Sequence, residues 1–160
     1  MDPKLPSGYA PFGIAAVSGK LVVTFAKQES GSEDELHHQG FGVVDEFDTE
    51  GNLISRIATH GQLNAPWGIA LAPTGFGPFS GDLLVGNFGD GRINAFAQQG
   101  DGSWERVGGL RDSSGRAISI DGLWGIGFGN GGAAGPLTTL YFAAGPNDEA
   151  NGLFGSITAN

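Results

Sequence analysis

The 160-residue chain contains no cysteine, a single methionine, and only 8 lysines and arginines against 17 aspartates and glutamates. Each scarcity closes a route. Without cysteine there is neither a disulfide framework nor a thiolate nucleophile, and a zinc ion could draw only on histidine and carboxylate ligands. The formal charge is −9 and no basic cluster interrupts it. Such a surface repels a nucleic-acid backbone or an anionic membrane, so neither is an expected partner. No run of about 18 apolar residues occurs, and the opening MDPKLPSGYA lacks a charged segment leading into an apolar one. The expectation is a soluble chain with no signal peptide and no membrane helix, its compartment left open. Long stretches with 3.6-residue apolar periodicity are missing as well, which leaves little room for helix.

Glycine, by contrast, is abundant, with 30 residues spread among Val, Ile, Leu and Phe runs. Inside a helix each would cost about 1 kcal/mol; between short apolar runs they mark the turns of an all-β chain. The length suits one domain. One phrase occurs in three versions: YAPFGIAAV from Tyr9, LNAPWGIALAP from Leu63, and DGLWGIGFG from Asp121. Aligned, they place Pro11, Pro66 and Leu123 in one column, a period of 55 and then 57 residues.

Each version opens a series of short strands. PFGIAAV is followed by LVVTFA, GVVDEFD and LISRIAT; PWGIALA by LLVGNFG, GRINAFA and SWERVGG; LWGIGFG by LYFAAGP and GLFGSIT. A four-stranded antiparallel meander repeated at this period is the blade of a β-propeller. The predicted organisation is therefore one half-propeller domain over 1–160, with blades at about 9–61, 62–110 and 118–160, the third lacking its outer strand. Gly13, Gly68 and Gly125 are expected to let inner strands approach closely. Phe12, Trp67 and Trp124 are expected to wedge between blades. Three blades leave two apolar faces without neighbours. A second copy closing a ring with two-fold symmetry is thus the expected partner, burying on the order of 2,000 Å². Residues 1–7 of that neighbour, despite Pro3 and Pro6, are the nearest candidate to cover the third blade's edge.

The P-x-G-I-A phrase followed by I-x-x-F-x-x-x-G resembles the NHL repeat. More narrowly, GYAPFGI, LNAPWGIALAP, LLVGNFGDGRINAF, DGLWGIGFGNG and LYFAAGPNDEANGLFGSI resemble the C-terminal half of a family of uncharacterised, longer bacterial proteins with an NHL-like propeller. The resemblance spans almost all of 1–157. It implies a six-bladed ring and a bacterial, exported protein, and it carries no assigned reaction. NHL-like rings also host lyases and lactone-hydrolysing sites. This sequence departs from the family by lacking its N-terminal half.

Because strands alternate in direction, the loops leading into the inner strands share one end of the blades with the loops between second and third strands. That end is predicted to collect His37, His38, His60, Asn64, Asn87, Asp90, Asp121, Asp148 and Glu149. The candidate ligand-binding residues are Asn64, Asn87, Asp90, Asp121, Asp148 and Glu149. The candidate catalytic residues are His37, His38, His60 and Asp121, since imidazole titrates near neutral pH. A divalent cation is the cofactor expectation: Asp90 and Asp121 suit calcium, and imidazole would suit a transition metal. Simpler readings stand beside these. Asp90-Gly91 is a strong hairpin-turn signal, and His37-His38 lies in an acidic loop of the kind that is often only solvated surface. No GxSxG, HExxH or GxxxxGK[ST] motif occurs, so no motif points to a hydrolase nucleophile, a zinc protease or a phosphate loop. The leading functional expectation is a binding or scaffold propeller holding a small-molecule or polymer ligand on its acidic face. The alternatives are a metal-assisted hydrolase or lyase at the channel mouth, with Asp90, Asp121 and Asp148 beside the histidines, and a half-ring built for self-assembly.

Overall fold

Local chemistry sets the strands first. Val17 and Lys20 are paired across Ser18 and Gly19 (φ 48° and 79°), the two left-handed residues that a tight hairpin turn matching strand twist requires. Further on, Asp48 accepts hydrogen bonds from the backbone N–H groups of Glu50 and Asn52 at 3.0 and 2.7 Å, closing the next reversal as Asp does in turns. Between such turns lie β-branched and aromatic runs. The structure, a computed structural model, describes residues 2–159. Met1 and Asn160, which the expected spans 1–160 and 118–160 include, lie outside the described residues.

The architecture is all-β, in three antiparallel sheets. The first runs in order through β1 (Tyr9–Val17), β2 (Lys20–Lys27), β3 (Gly42–Phe47) and β4 (Leu53–Thr59). The second holds β5 (Pro66–Leu71), β6 (Leu83–Asn87), β7 (Ile93–Gln98) and β8 (Trp104–Gly109). The third has β9 (Leu123–Phe128), β10 (Thr139–Ala144) and β11 (Leu153–Thr158). A 3-10 turn at Gly77–Phe79 is the one helical piece among the described residues. Each sheet is a meander of consecutive strands, and the sheets stack in chain order, β1 against β5 and β5 against β9. This is the propeller arrangement, with each sheet a blade.

The cores lie in the seams. Val22 and Val44 of the first blade pack with Ile69, Leu83, Val85 and Phe96 of the second. Across the next seam, Leu84, Ile93 and Ala95 pack with Leu123 and Leu140 of the third blade. Removing such side chains from water at roughly 25 cal/mol per Å² is the main force holding blade to blade. At the inner edge, a Cβ on Gly13 would overlap the carbonyl oxygen of Trp67, and one on Gly68 would lie 2.7 Å from that of Trp124. Gly125 departs from the expectation: a Cβ there would meet nothing within 4 Å among the described residues.

The aromatics also divide. The rings of Phe12 and Trp67 meet across the first seam at 4.7 Å between centroids. Trp124 instead lies over Gly145 of its own blade, and its indole Nε1 donates to Glu149 Oε1 at 2.5 Å. The opening segment stays with its own blade. Asp2 is buried in an ion pair with Arg56, whose Nε also donates to Asp45 Oδ1 at 2.7 Å. Leu5 packs on the cluster of Phe25, Val43 and Phe47. This segment thus covers the side of the first blade that faces away from the second.

Candidate functional site

The pairing of strands decides which loops share an end. Pro66 at the start of β5 pairs with Asn87 at the end of β6, and Leu123 at the start of β9 pairs with Ala144 at the end of β10. In the first blade Val43 at the start of β3 pairs with Thr59 at the end of β4. Phe41 bridges to Asn64, joining that end of the first blade to the same end of the second. His60, Asn64, Asn87, Asp90, Asp121, Asp148 and Glu149 therefore occupy one end of their sheets, together with the 28–41 loop that carries His37 and His38.

Within this end, two groups form. In the first, Asn87 Nδ2 donates to Gln62 O at 2.8 Å and to Asp90 Oδ1 at 3.0 Å. Asp90 Oδ1 also accepts from the backbone N–H of Arg92 at 3.2 Å, which makes Asp90-Gly91 the hairpin turn that its sequence suggests. The N–H of Gly89 donates to Asn64 O at 3.1 Å, and a Cβ on Gly89 would collide with the Asn64 amide. Glycine here lets the loop lie flat on the buried Asn64. The second group gathers around Asp121, whose Oδ2 accepts from the N–H of Asn147 at 2.9 Å. Asp148 and Glu149 are exposed beside it, with left-handed φ values of 51° and 60°. The two groups are tied together, since Ser119 Oγ donates to Asp90 O at 2.7 Å and Ile120 N to Gly91 O at 3.0 Å.

The histidines stand apart. His37 Nε2 lies 2.9 Å from Glu35 Oε1, and its ring meets Phe88 edge-on at 5.1 Å. His38 Nδ1 lies 2.7 Å from Gln39 O, and His60 Nδ1 lies 2.9 Å from Gly40 O. All three are exposed. Among the described residues no group of three histidine, aspartate or glutamate side chains comes together to hold a metal ion. Asp90 and Asp121 each use an oxygen to accept hydrogen bonds from nearby turn residues.

Two features were not legible in the sequence: one is a residue missed altogether, the other a property of two expected ligand-binding residues. Phe88 joins Phe12 and Trp67, with centroid separations of 6.1 and 5.9 Å, in an aromatic group made by two blades. Its signal was the aromatic inside LLVGNFGDG, next to a turn instead of within an apolar run. The second feature is a pair of buried amide oxygens, Asn64 Oδ1 and Asn87 Oδ1, neither of which receives a hydrogen bond among the described residues. A native fold leaves few such groups.

No protein-family model matches the chain. Three uncharacterized proteins of Acanthamoeba polyphaga mimivirus are similar to it. One is 35% identical over 161 residues, covering 98% of this chain and 37% of the relative. A second is 32% identical, covering 98% of this chain and 40% of its own length. The third is 35% identical over 126 residues, covering 78% and 23%. The chain thus spans about two-fifths or less of the curated relatives it matches. These relatives are viral, so the bacterial source implied by the family resemblance finds no support in them. Among solved structures, a candidate gluconolactonase aligns with a TM-score of 0.52 at 19% identity over 90% of this chain and 46% of its own. That is a likeness of fold. A luciferin-regenerating enzyme aligns at a TM-score of 0.47 and 13% identity, covering 95% and 62%. No helix among the described residues is long and apolar enough to cross a membrane.

Proposed function

We propose that the chain is a propeller segment that binds a small polar ligand at the strand end built by 62–67, 87–92, 119–124 and 145–149. The pair of buried amide oxygens carries the reading. The Asn87 amide is oriented by its two donated bonds, so its Oδ1 is an acceptor without a donor, as is Asn64 Oδ1. Each such buried acceptor costs about 1–3 kcal/mol until a donor or cation supplies what water did. Beside them, the rings of Phe12, Trp67 and Phe88 offer apolar faces, and the carboxylates of Asp121, Asp148 and Glu149 add further acceptors. Acceptors beside aromatic faces suit a ligand with several hydroxyl groups or a hydrated cation.

The second reading is a metal-assisted hydrolase or lyase at the same end. What favours it is the fold likeness to a candidate gluconolactonase; His37, held beside Glu35 and against the ring of Phe88, would serve as its base.

Titration with calcium, manganese and glucono-δ-lactone, followed by tryptophan fluorescence and melting temperature, tests both. Binding predicts a fluorescence change and a rise in melting temperature with at least one probe, reaching about 2.7 kcal/mol of stabilisation at a hundredfold excess over Kd. Asn64→Leu removes a donorless buried carbonyl from a site where nothing pairs with it. The variant should keep or gain stability while losing the response. Acid release from the lactone would favour the second reading. No response to any of the three probes would remove the binding reading.

A further inference from the structure

Only 8 lysines and arginines are scattered through this chain of net charge −9, yet Arg92, Arg106 and Arg111 line one cleft of about 150 Å³ together with Gln62 and Asn94. Strand geometry brings them there. Arg92 leads into β7, and Asn94 and Phe96 follow on the same side of that strand. Phe96 packs in the seam with the first blade, so this side is turned toward that blade. Across the ladder Asn94 pairs with Gly109 and Phe96 with Arg106, the register shifting between Ala95 and Phe96. The bulge passes over Val107 and so puts Arg106 on the side of Asn94 and Phe96. Arg111 lies two residues beyond Gly109 and is held by a bridge to Ala117, which also lines the cleft. Gln62, in the connection between β4 and β5, closes the cleft from the first blade. Both of its walls, the first and second blades, are complete four-stranded sheets.

The cleft presents donors that the fold does not take up. Arg106 Nε donates to Asn94 Oδ1 at 2.9 Å, which orients the Asn94 amide and leaves Nδ2 as its donor end. Asn94 is 2% exposed, and its Nδ2 meets no acceptor among the described residues. A buried polar group without a partner is rare in a native fold. The ion pairs among the described residues use Lys20, His37, Arg56 and Arg116, so the three guanidinium groups of the cleft are left without a carboxylate. Arg111 Nη1 donates to Gly115 O at 2.7 Å, and the adjacent Asp112 is engaged by Ser114 and Arg116. The remaining guanidinium donors are forked, the geometry that matches two oxygens of one anionic group. We infer that this cleft binds a small oxyanion, a phosphate or a carboxylate group, with the Asn94 amide at its buried end and the three arginines supplying the charge. Its volume lies below the roughly 300 Å³ at which sites for larger organic ligands begin, so the anionic group itself is what enters. The ligand is opposite in kind to that of the neighbouring strand-end site, where the Asn64 and Asn87 carbonyls call for donors. Neither reading rests on the other.

Melting temperature and titration calorimetry at constant ionic strength, with sodium phosphate or sodium acetate replacing sodium chloride, read the site. At least one of the two anions should raise the melting temperature and give a saturable heat of binding. Phosphate alone assigns a phosphate site, acetate alone a carboxylate site, and both together a site for either group. Arg92→Gln and Arg111→Gln alter exposed residues, so both variants should fold as the wild type does. Each should weaken anion binding at least about tenfold, as the loss of a charge-assisted hydrogen bond does. Asn94→Asp puts a carboxylate oxygen in place of Nδ2 and so supplies the missing charge from within. That variant should match or exceed the wild-type melting temperature in chloride and no longer respond to phosphate or acetate. Asn64→Leu, which tests the strand-end site, should leave the anion response unchanged. A wild-type chain that responds to neither anion would overturn the inference. So would an unchanged response in both arginine variants, or an Asn94→Asp variant that melts below the wild type in chloride.

Discussion

Gly68 and Gly125 sit at the same place in two copies of one phrase, PWGIA and LWGIG, yet they live in different surroundings. Gly68 lies under the carbonyl of Trp124, and Gly125 faces open space. The same contrast separates Ile93 from Phe154 in the third strands. A repeat therefore specifies strand, side and register, but the weight a residue carries is set by the blade packed on it. Positions equivalent in sequence need not be equivalent in stability.

The comparison can be broken most sharply in the third strands. Ile93→Ala should cost about 2–5 kcal/mol, because the second seam cannot collapse around the missing atoms. Phe154→Ala should cost no more than about 0.5 kcal/mol in the monomer. Urea denaturation at a concentration where the chain is monomeric checks both, and equal losses would mean that the third blade's open side is covered.

Next come the glycines. Gly13→Val and Gly68→Val force a side chain into a backbone carbonyl that cannot swing aside, and should each cost about 1–3 kcal/mol or more. Gly125→Val should lie within about 0.5 kcal/mol of wild type in the monomer. The same denaturation series reads this, and a large loss at Gly125 would contradict the open face.

The smallest effects are electrostatic and divide covered from exposed carboxylates. Asp45 lies on the Ile14 side of the first blade, beneath the cover formed by Asp2. Burial pushes its carboxyl above the ordinary value of 3.8, and Arg56 opposes the rise. Asp48, Asp101 and Asp112 are held below that value, chiefly by hydrogen bonds from the side chains of Asn52, Ser103 and Ser114. The signs differ. The lowered groups contribute stability that is present above the ordinary value and lost as pH falls through their folded values. The raised group contributes stability that is present below the ordinary value and lost as pH rises through its folded value. Urea midpoints between about pH 2 and 6 should therefore fall less steeply on the acid side for Asp112→Ala than for wild type. A slope unchanged in that variant would show that the turn at Asp112 contributes nothing to acid sensitivity.

Much of the fold was legible because β structure with tight turns writes itself locally. Ser18-Gly19, Asp48 to Asn52 and Asp90-Gly91 announce reversals through backbone chemistry alone, and the alternating runs between them can only be strands. The shared end of the loops followed from counting strand directions, so His60, Asn64, Asn87, Asp90 and Asp121 could be placed together without distances. What could not be read was which of them touch. Asp90 turned inward to Asn87 and Asp121 to the backbone of Asn147, while the histidines spread along the rim. Such contacts depend on a loop's exact path over a neighbouring blade, which local propensity does not encode.

The sequence by itself determined the repeat, the strand order within each blade, and the turns. All of these rest on interactions between residues close in the chain or on a fixed period of side-chain direction. Only the tertiary structure decided that Gly13 and Gly68 are filled while Gly125 is not. It also decided that the opening segment covers its own first blade, and that Phe88 completes an aromatic group with Phe12 and Trp67. The reason is physical: burial and close approach belong to pairs of surfaces, and a chain states one surface at a time.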